Sequence, residues 1–311
     1  MKKNIFHIFL FIILLIISDN ICGYCLDTIN QYAFEKNPTA NKIPYSFEKV
    51  NSDIVIVGSS RASHHYIPSM ITDSLNLSAY NCGFDGMFLL YQTCNIDALL
   101  KRYKPKMIIW DISSPAILNT SKDEIEINRI TNRLGNYYNQ NQYTDSILQS
   151  ASKLEWIKLE CSLYRYNSYI IQLAGKLIAP KVNKQLGYIP LSDTGYNFSK
   201  IKKTHINDTF SNERANLFIN TINKCIDNDV KIIIIFSPAL LETNYRETNS
   251  YKKIIEICDK KNITILDYYH NYYFMNDASL FKDHVHLNNK GATIFTNEII
   301  KELKSDSTIV L

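Results

Sequence analysis

The stretch NSDIVIVGSSRASHHY, Asn51 to Tyr66, decides how this chain folds. Its four β-branched residues, Ile54 to Val57, stop abruptly at Gly58, and Ser59, Ser60 and Arg61 follow. A short β-branched run bounded by a turn residue reads as a buried strand. The Gly-Ser-Ser turn then carries two hydroxyls and a guanidinium to the strand's tip. Gly58 suits a sharp turn there, and Pro68 suits the first turn of the helix that follows.

Four further apolar runs resemble that strand: Ser78 to Tyr80, Met107 to Asp111, Val230 to Phe236, and Ile263 to Asp267. Three of the five are continuous rather than alternating, the pattern of strands covered on both faces. Helical spacing lies between them. Leu89, Thr93, Ile96 and Leu100 form one face; Phe218, Ile222 and Cys225 form a second after a candidate N-cap at Ser211. Ala292, Phe295, Ile299 and Leu303 form the last, starting from Asn288 or Asn289. Strands alternating with helices predict an α/β fold of three layers, α/β/α, around a five-stranded parallel, flavodoxin-like sheet. Ile112 to Thr209 has no good strand and is far longer than an ordinary connection. It reads as a long, mainly helical insertion (112–209) after the third strand, within a main domain spanning 50–311.

The 311 residues are 46% hydrophobic and 21% charged, with a net charge of +4, an ordinary globular balance. No basic stripe with interleaved aromatics is present, so nucleic acid is not an expected partner. At the start, Lys2 and Lys3 precede an apolar run from Ile5 to Ile17 broken only by His7. Residues 1–27 read as a signal peptide or as an uncleaved membrane anchor that continues past Asp19. Either places the body of the protein in the cell envelope, outside the cytoplasm. Asp19 and Asn20 argue against lipidation at Cys22. Seven dispersed cysteines are not a disulfide framework, and Cys22 and Cys25 read as small hydrophobes rather than a redox pair.

In an open α/β sheet, ligands bind at the carboxyl ends of the strands, where Ser59 or Ser60 would be presented. YNCGFDGM brings Gly83 and Gly86 to the same end after the second strand. FKDHVHLNNKGA supplies Asp283 and His286 ahead of the last helix. An Asp three residues before a His can accept its Nδ1–H, leaving Nε2 free as a base toward a serine. Nucleophile, oxyanion donors, base and orienter together are what acyl transfer needs. His64, His65, His284 and His286 invite a metal, but adjacent histidines in an extended or turn segment point opposite ways, so no metal site is expected.

GSSR after the first strand, NCGFDG after the second and DHVHLNNKGA before the last helix resemble the first, second and fifth sequence blocks of the SGNH/GDSL hydrolases. The Gly-Ser-Ser-Arg variant and the leader look like membrane-tethered bacterial members. The resemblance implies Ser60 as nucleophile, His286 as base and Asp283 as its partner, with no cofactor. It implies oxyanion donors at the backbone of Ser60 and Gly86. The family's Gly-x-Asn-Asp after the third strand is missing; IIWDISSP stands there, with Asp111, Ser113 and Ser114. Losing one such donor typically costs about 3–4 kcal/mol of transition-state stabilisation. Ser113, Asn81 and Arg61 are the candidate substitutes. Arg61, Asn81 and Ser237 are also candidate substrate contacts, although Arg61 could instead pair with Asp85 or Asp111.

The expected function is therefore a serine esterase acting on an ester, such as an O-acetyl group, of an envelope glycan or lipid. The alternatives are an O-acyltransferase using the same residues, or an inactive scaffold or glycan-binding protein. The sequence sets no oligomeric state.

Overall fold

The computed structural model describes residues 2–36, 41–113, 115–120, 123–167, 169–178, 186–192 and 201–305. These fall into two compact units. One holds the first helix together with helices between residues 124 and 178; the other holds residues 42–123 and 186–305.

Among the described residues the second unit has seven strands: β1 (Ile54–Val57), β2 (Ala79–Asn81), β3 (Met107–Asp111), β4 (Lys202–Lys203), β5 (Lys231–Phe236), β6 (Leu241–Glu242) and β7 (Thr264–Asp267). Five of them form one parallel sheet in the order β2-β1-β3-β5-β7, the flavodoxin-like arrangement. The register sets Val55 beside Tyr80, Val57 beside Trp110, and Asp111 beside Ile235. β4 and β6 form a separate parallel pair. Two exposed lysines carry no periodicity, which is why β4 is invisible in the sequence.

Alternate strand residues feed two separate cores, and this explains the unbroken apolar runs. Val55, Val57, Ile108, Trp110 and Ile234 pack on the helices Leu89–Arg102, Asn212–Asp227 and Asn249–Lys260. Ile54, Ile56, Ile109, Ile233 and Ile235 pack on Pro68–Leu75 and Asn289–Ser305. Helices thus cover both faces, completing the α/β/α sandwich. The N-cap at Ser211 forms, its hydroxyl accepting the Arg214 amide.

Two local expectations change. The turn after Gly58 enters a six-residue helix at once, Ser60–His65, so Pro68 opens a second short helix rather than the first. His64 and His65 are therefore helical, not extended.

The long insertion leaves and returns at one place. Thr120 donates to the Thr209 carbonyl and Ser211 to that of Leu118. Its helices are Asp123–Leu134, Gln142–Gln149, Glu155–Glu160, Ser162–Tyr166 and Tyr169–Ile178. The first helix, Lys2–Lys36, is continuous, and is long and apolar enough to cross a membrane. Its later half packs on the insertion: Asp27 accepts from the Tyr166 hydroxyl, Asn30 from that of Tyr169, and Ala33 is buried with Leu173.

Candidate active site

Strand order reverses between β2-β1 and β1-β3, so the crevice beyond the carboxyl ends of β1 and β3 is where a ligand is expected. Gly58 ends β1 there. A Cβ on Gly58 would lie 2.6 Å from the Ala62 Cβ and 2.8 Å from the Asp111 carbonyl oxygen. Close approach of the backbone, rather than a left-handed turn, is what demands glycine. The helix begins with Ser59 as N-cap, its carbonyl accepting the Ser63 amide. Ser59 is buried, whereas Ser60 is partly open to solvent.

The second element is the loop from Phe281 to Leu287, closed by an antiparallel bridge between those two residues. Within it, one oxygen of Asp283 accepts the amides of Val285 and His286. The other lies 2.8 Å from His286 Nδ1. Only an N–H at Nδ1 satisfies that contact, so Nε2 is the acceptor, and it sits 2.8 Å from Ser60 Oγ. Burial alone would raise the Asp283 pKa. The His286 ring and the two amides outweigh it and bring the carboxyl down to about 2.

His65 holds the two elements together. Its Nε2 accepts the Leu287 amide at 2.9 Å, which requires a neutral ring. Burial, followed by the charges of Arg61 and His286, keeps its pKa well below the usual value. His64 lies edge-on to the His286 ring, 5.5 Å between centroids. Its Nδ1 meets the Ile189 carbonyl at 2.7 Å and its Nε2 meets Asp85 at 3.1 Å. The described tail of the insertion, residues 186–192, therefore borders the site.

No family model matches the chain, and no curated protein does. Among solved structures, a psychrotrophic esterase, EstA, from Pseudoalteromonas sp., in a form inhibited by monoethylphosphonate, is similar. The match covers 81% of this chain and 96% of that one, with 9% sequence identity and a TM-score of 0.43.

The remaining residues singled out in the sequence are placed as follows. Gly86 lies in the loop after β2 with φ of 71°. Ser113 donates to Asp111 at 3.1 Å and lies 2.5 Å from the Ser59 hydroxyl. Its single proton is thus committed to a buried carboxylate. Burial raises the Asp111 pKa, opposed by the hydroxyls of Tyr66, Ser237 and Ser113. Ser114 lies outside the described residues.

The three residues named as substrate contacts turn inward. Asn81 is fully buried, donating to the carbonyls of Ala62 and Tyr66 and accepting the Gly83 amide. Arg61 donates to the Ser237 carbonyl and stacks 5.0 Å over the Tyr269 ring, in place of an ion pair with Asp85 or Asp111. Ser237 is itself fully buried. All three tie loops together at the strand tips. Among the described residues, no cluster of three or more His, Cys, Asp or Glu side chains is arranged to hold a metal ion.

Sequence reasoning missed Lys42, because nothing in its spacing marks it. It is buried, and its Nζ donates to Ser63 Oγ, which donates onward to the Gly83 carbonyl. Burial brings its pKa down to about 7, against the opposing charges of Cys82 and Asp85. A cavity of about 20 Å³ lies beside Ser59 and Ser113, walled by Phe88, Gln92 and Ile117.

Proposed function

We propose that this protein is a membrane-anchored serine esterase of the SGNH type. The observation that carries the reading is the unbroken relay Asp283–His286–Ser60, with both links at 2.8 Å. It stands at the crevice where an open α/β sheet binds ligands.

Ser60 Oγ attacks the acyl carbonyl while His286 Nε2 takes its proton, and Asp283 balances the imidazolium so formed. The tetrahedral intermediate places its oxyanion against the backbone N–H groups of Ser60 and Gly86. As the intermediate collapses, His286 returns the proton to the leaving alcohol and the acyl group stays on Ser60. Water, deprotonated by the same imidazole, then releases the acid. Arg61, Asn81 and His65 act by fixing the loops that carry these groups.

The first helix supports retention as a membrane anchor. Its apolar half is exposed, and its later half is bonded to the insertion. The substrate class that follows is an O-acetylated glycan or a lipid ester of the envelope.

Treatment of the folded full chain with a fluorophosphonate tests the reading. A single label mapped to Ser60 is expected. Absence of labelling on folded protein overturns it and leaves a non-catalytic envelope protein.

A further inference from the structure

We propose that the insertion carries a second, interfacial membrane contact, formed by Leu154, Trp156, Ile157 and Leu163 and occupied by the headgroup region of the bilayer. The inference rests on the anchor reading of the first helix.

That helix fixes the depth. From Lys2 to Ser18 it rises roughly 26 Å, at ~1.5 Å per residue, close to the ~30 Å of a bilayer's hydrocarbon core. With the lysines at one surface, Asp19 emerges at the other. Asp19 is bonded to the insertion: its carboxylate accepts the Ser162 amide at 2.7 Å, the Leu163 amide at 2.9 Å and the Cys161 thiol at 3.1 Å. Gly23, one turn later, permits the contact, because a Cβ there would come within 2.5 Å of Ser162 Cβ. The start of the Ser162–Tyr166 helix is therefore held at the membrane surface.

The adjoining helix, Glu155–Glu160, buries Glu155 and Leu159 on one face and leaves Trp156 and Ile157 on the exposed one. Glu155 is 2% exposed, held by Tyr164, Ser152 and Lys158, whereas Trp156 is 53% exposed. Leu154 and Ile157 are exposed beside it, and Leu163 is exposed at the Asp19 junction. Trp156 precedes Cys161 by no more than about 8 Å of helix rise, which matches the ~5–8 Å depth of a headgroup layer. An exposed Trp among aliphatic side chains, flanked by Lys153, Lys158 and Arg165, is the chemistry of a bilayer surface. Farther along the first helix, the Tyr166 and Tyr169 hydroxyls bond to Asp27 and Asn30, as expected of the part that stands clear of lipid.

The chain has two tryptophans, and the other, Trp110, is fully buried in the sheet. Full-length protein is reconstituted into phosphatidylcholine–phosphatidylglycerol vesicles whose acyl chains carry bromine, and tryptophan emission is compared with that in unbrominated vesicles. The inference expects roughly half the emission to be quenched, with the quenched part lost in W156F. Protein that resists alkaline extraction but whose Trp156 is unquenched overturns the interfacial contact and leaves the anchor standing. Protein released by alkaline extraction overturns the anchor reading, and this inference with it. A Trp156 blue shift in detergent that grows with protein concentration, without quenching in vesicles, assigns the face to a second copy of the chain and also overturns the inference.

Discussion

His286 Nε2 lies 2.8 Å from Ser60 Oγ although 226 positions separate the two residues in the chain. Ser60 is fixed by the end of β1 and His286 by a loop that follows β7. Their meeting depends on parallel strands delivering both to the same end of one sheet. Each part of that construction has a measurable consequence.

Ser59 and Ser60 are expected to separate in function. Ser60→Ala is expected to lower ester hydrolysis by on the order of 10³-fold or more. Ser59→Ala removes a hydroxyl bonded only to Ser113 in this relay and is expected to keep most of the rate. Initial rates with a short-chain aryl ester measure both, and equal losses contradict the assignment.

Asp283→Asn is expected to reduce kcat by on the order of 10²–10⁴-fold, with a smaller effect on KM. Asp283 also contributes to stability through its depressed pKa. The folded group ionises near 2 and the free group near 3.8. The unfolded chain therefore binds the extra proton between those values, and the contribution is full above about pH 4 and lost as pH falls through 2. Urea titrations across that window should show a step that D283N lacks.

Lys42 gives the opposite end of the pH scale. Its folded pKa of about 7 lies below its free value of 10.5, so between them the unfolded chain holds a proton that the folded one does not. Stability should rise with pH across that window, by up to ~1.4 kcal/mol per pH unit from this group. Lys42→Met should flatten the slope between pH 7 and 9. An unchanged slope would place the charge of Lys42 in solvent.

Gly58→Ala forces a methyl group against Ala62 and the Asp111 carbonyl. Destabilisation of about 1–3 kcal/mol is expected, read as a lower urea midpoint. Hydrolysis should fall with it, since the same displacement moves Ser60.

Asp19→Ala removes the carboxylate that caps the Ser162–Tyr166 helix. A local loss of about 1 kcal/mol is expected. Limited proteolysis of detergent-solubilised full chain should then cut faster after Lys158 and Arg165, with esterase activity unchanged.

The sequence by itself determined the layered fold. The unbroken apolar runs Ile54–Val57 and 107–110 have no polar face to show to water, so helices must cover both sides. It also marked Asp283 and His286 as a pair, because Asp and His three residues apart on one loop can form their bond locally, whereas the choice of Ser60 over Ser59 came from the resemblance to the SGNH/GDSL blocks. Only the tertiary structure decided which serine opens to solvent, that Asn81 and Arg61 donate to backbone carbonyls, and that Ser237 is fully buried. It also decided that the Ser113 proton is held by Asp111 and that Lys42 is buried. Those outcomes turn on burial and on hydrogen-bond partners supplied from distant parts of the chain, and no local spacing encodes either.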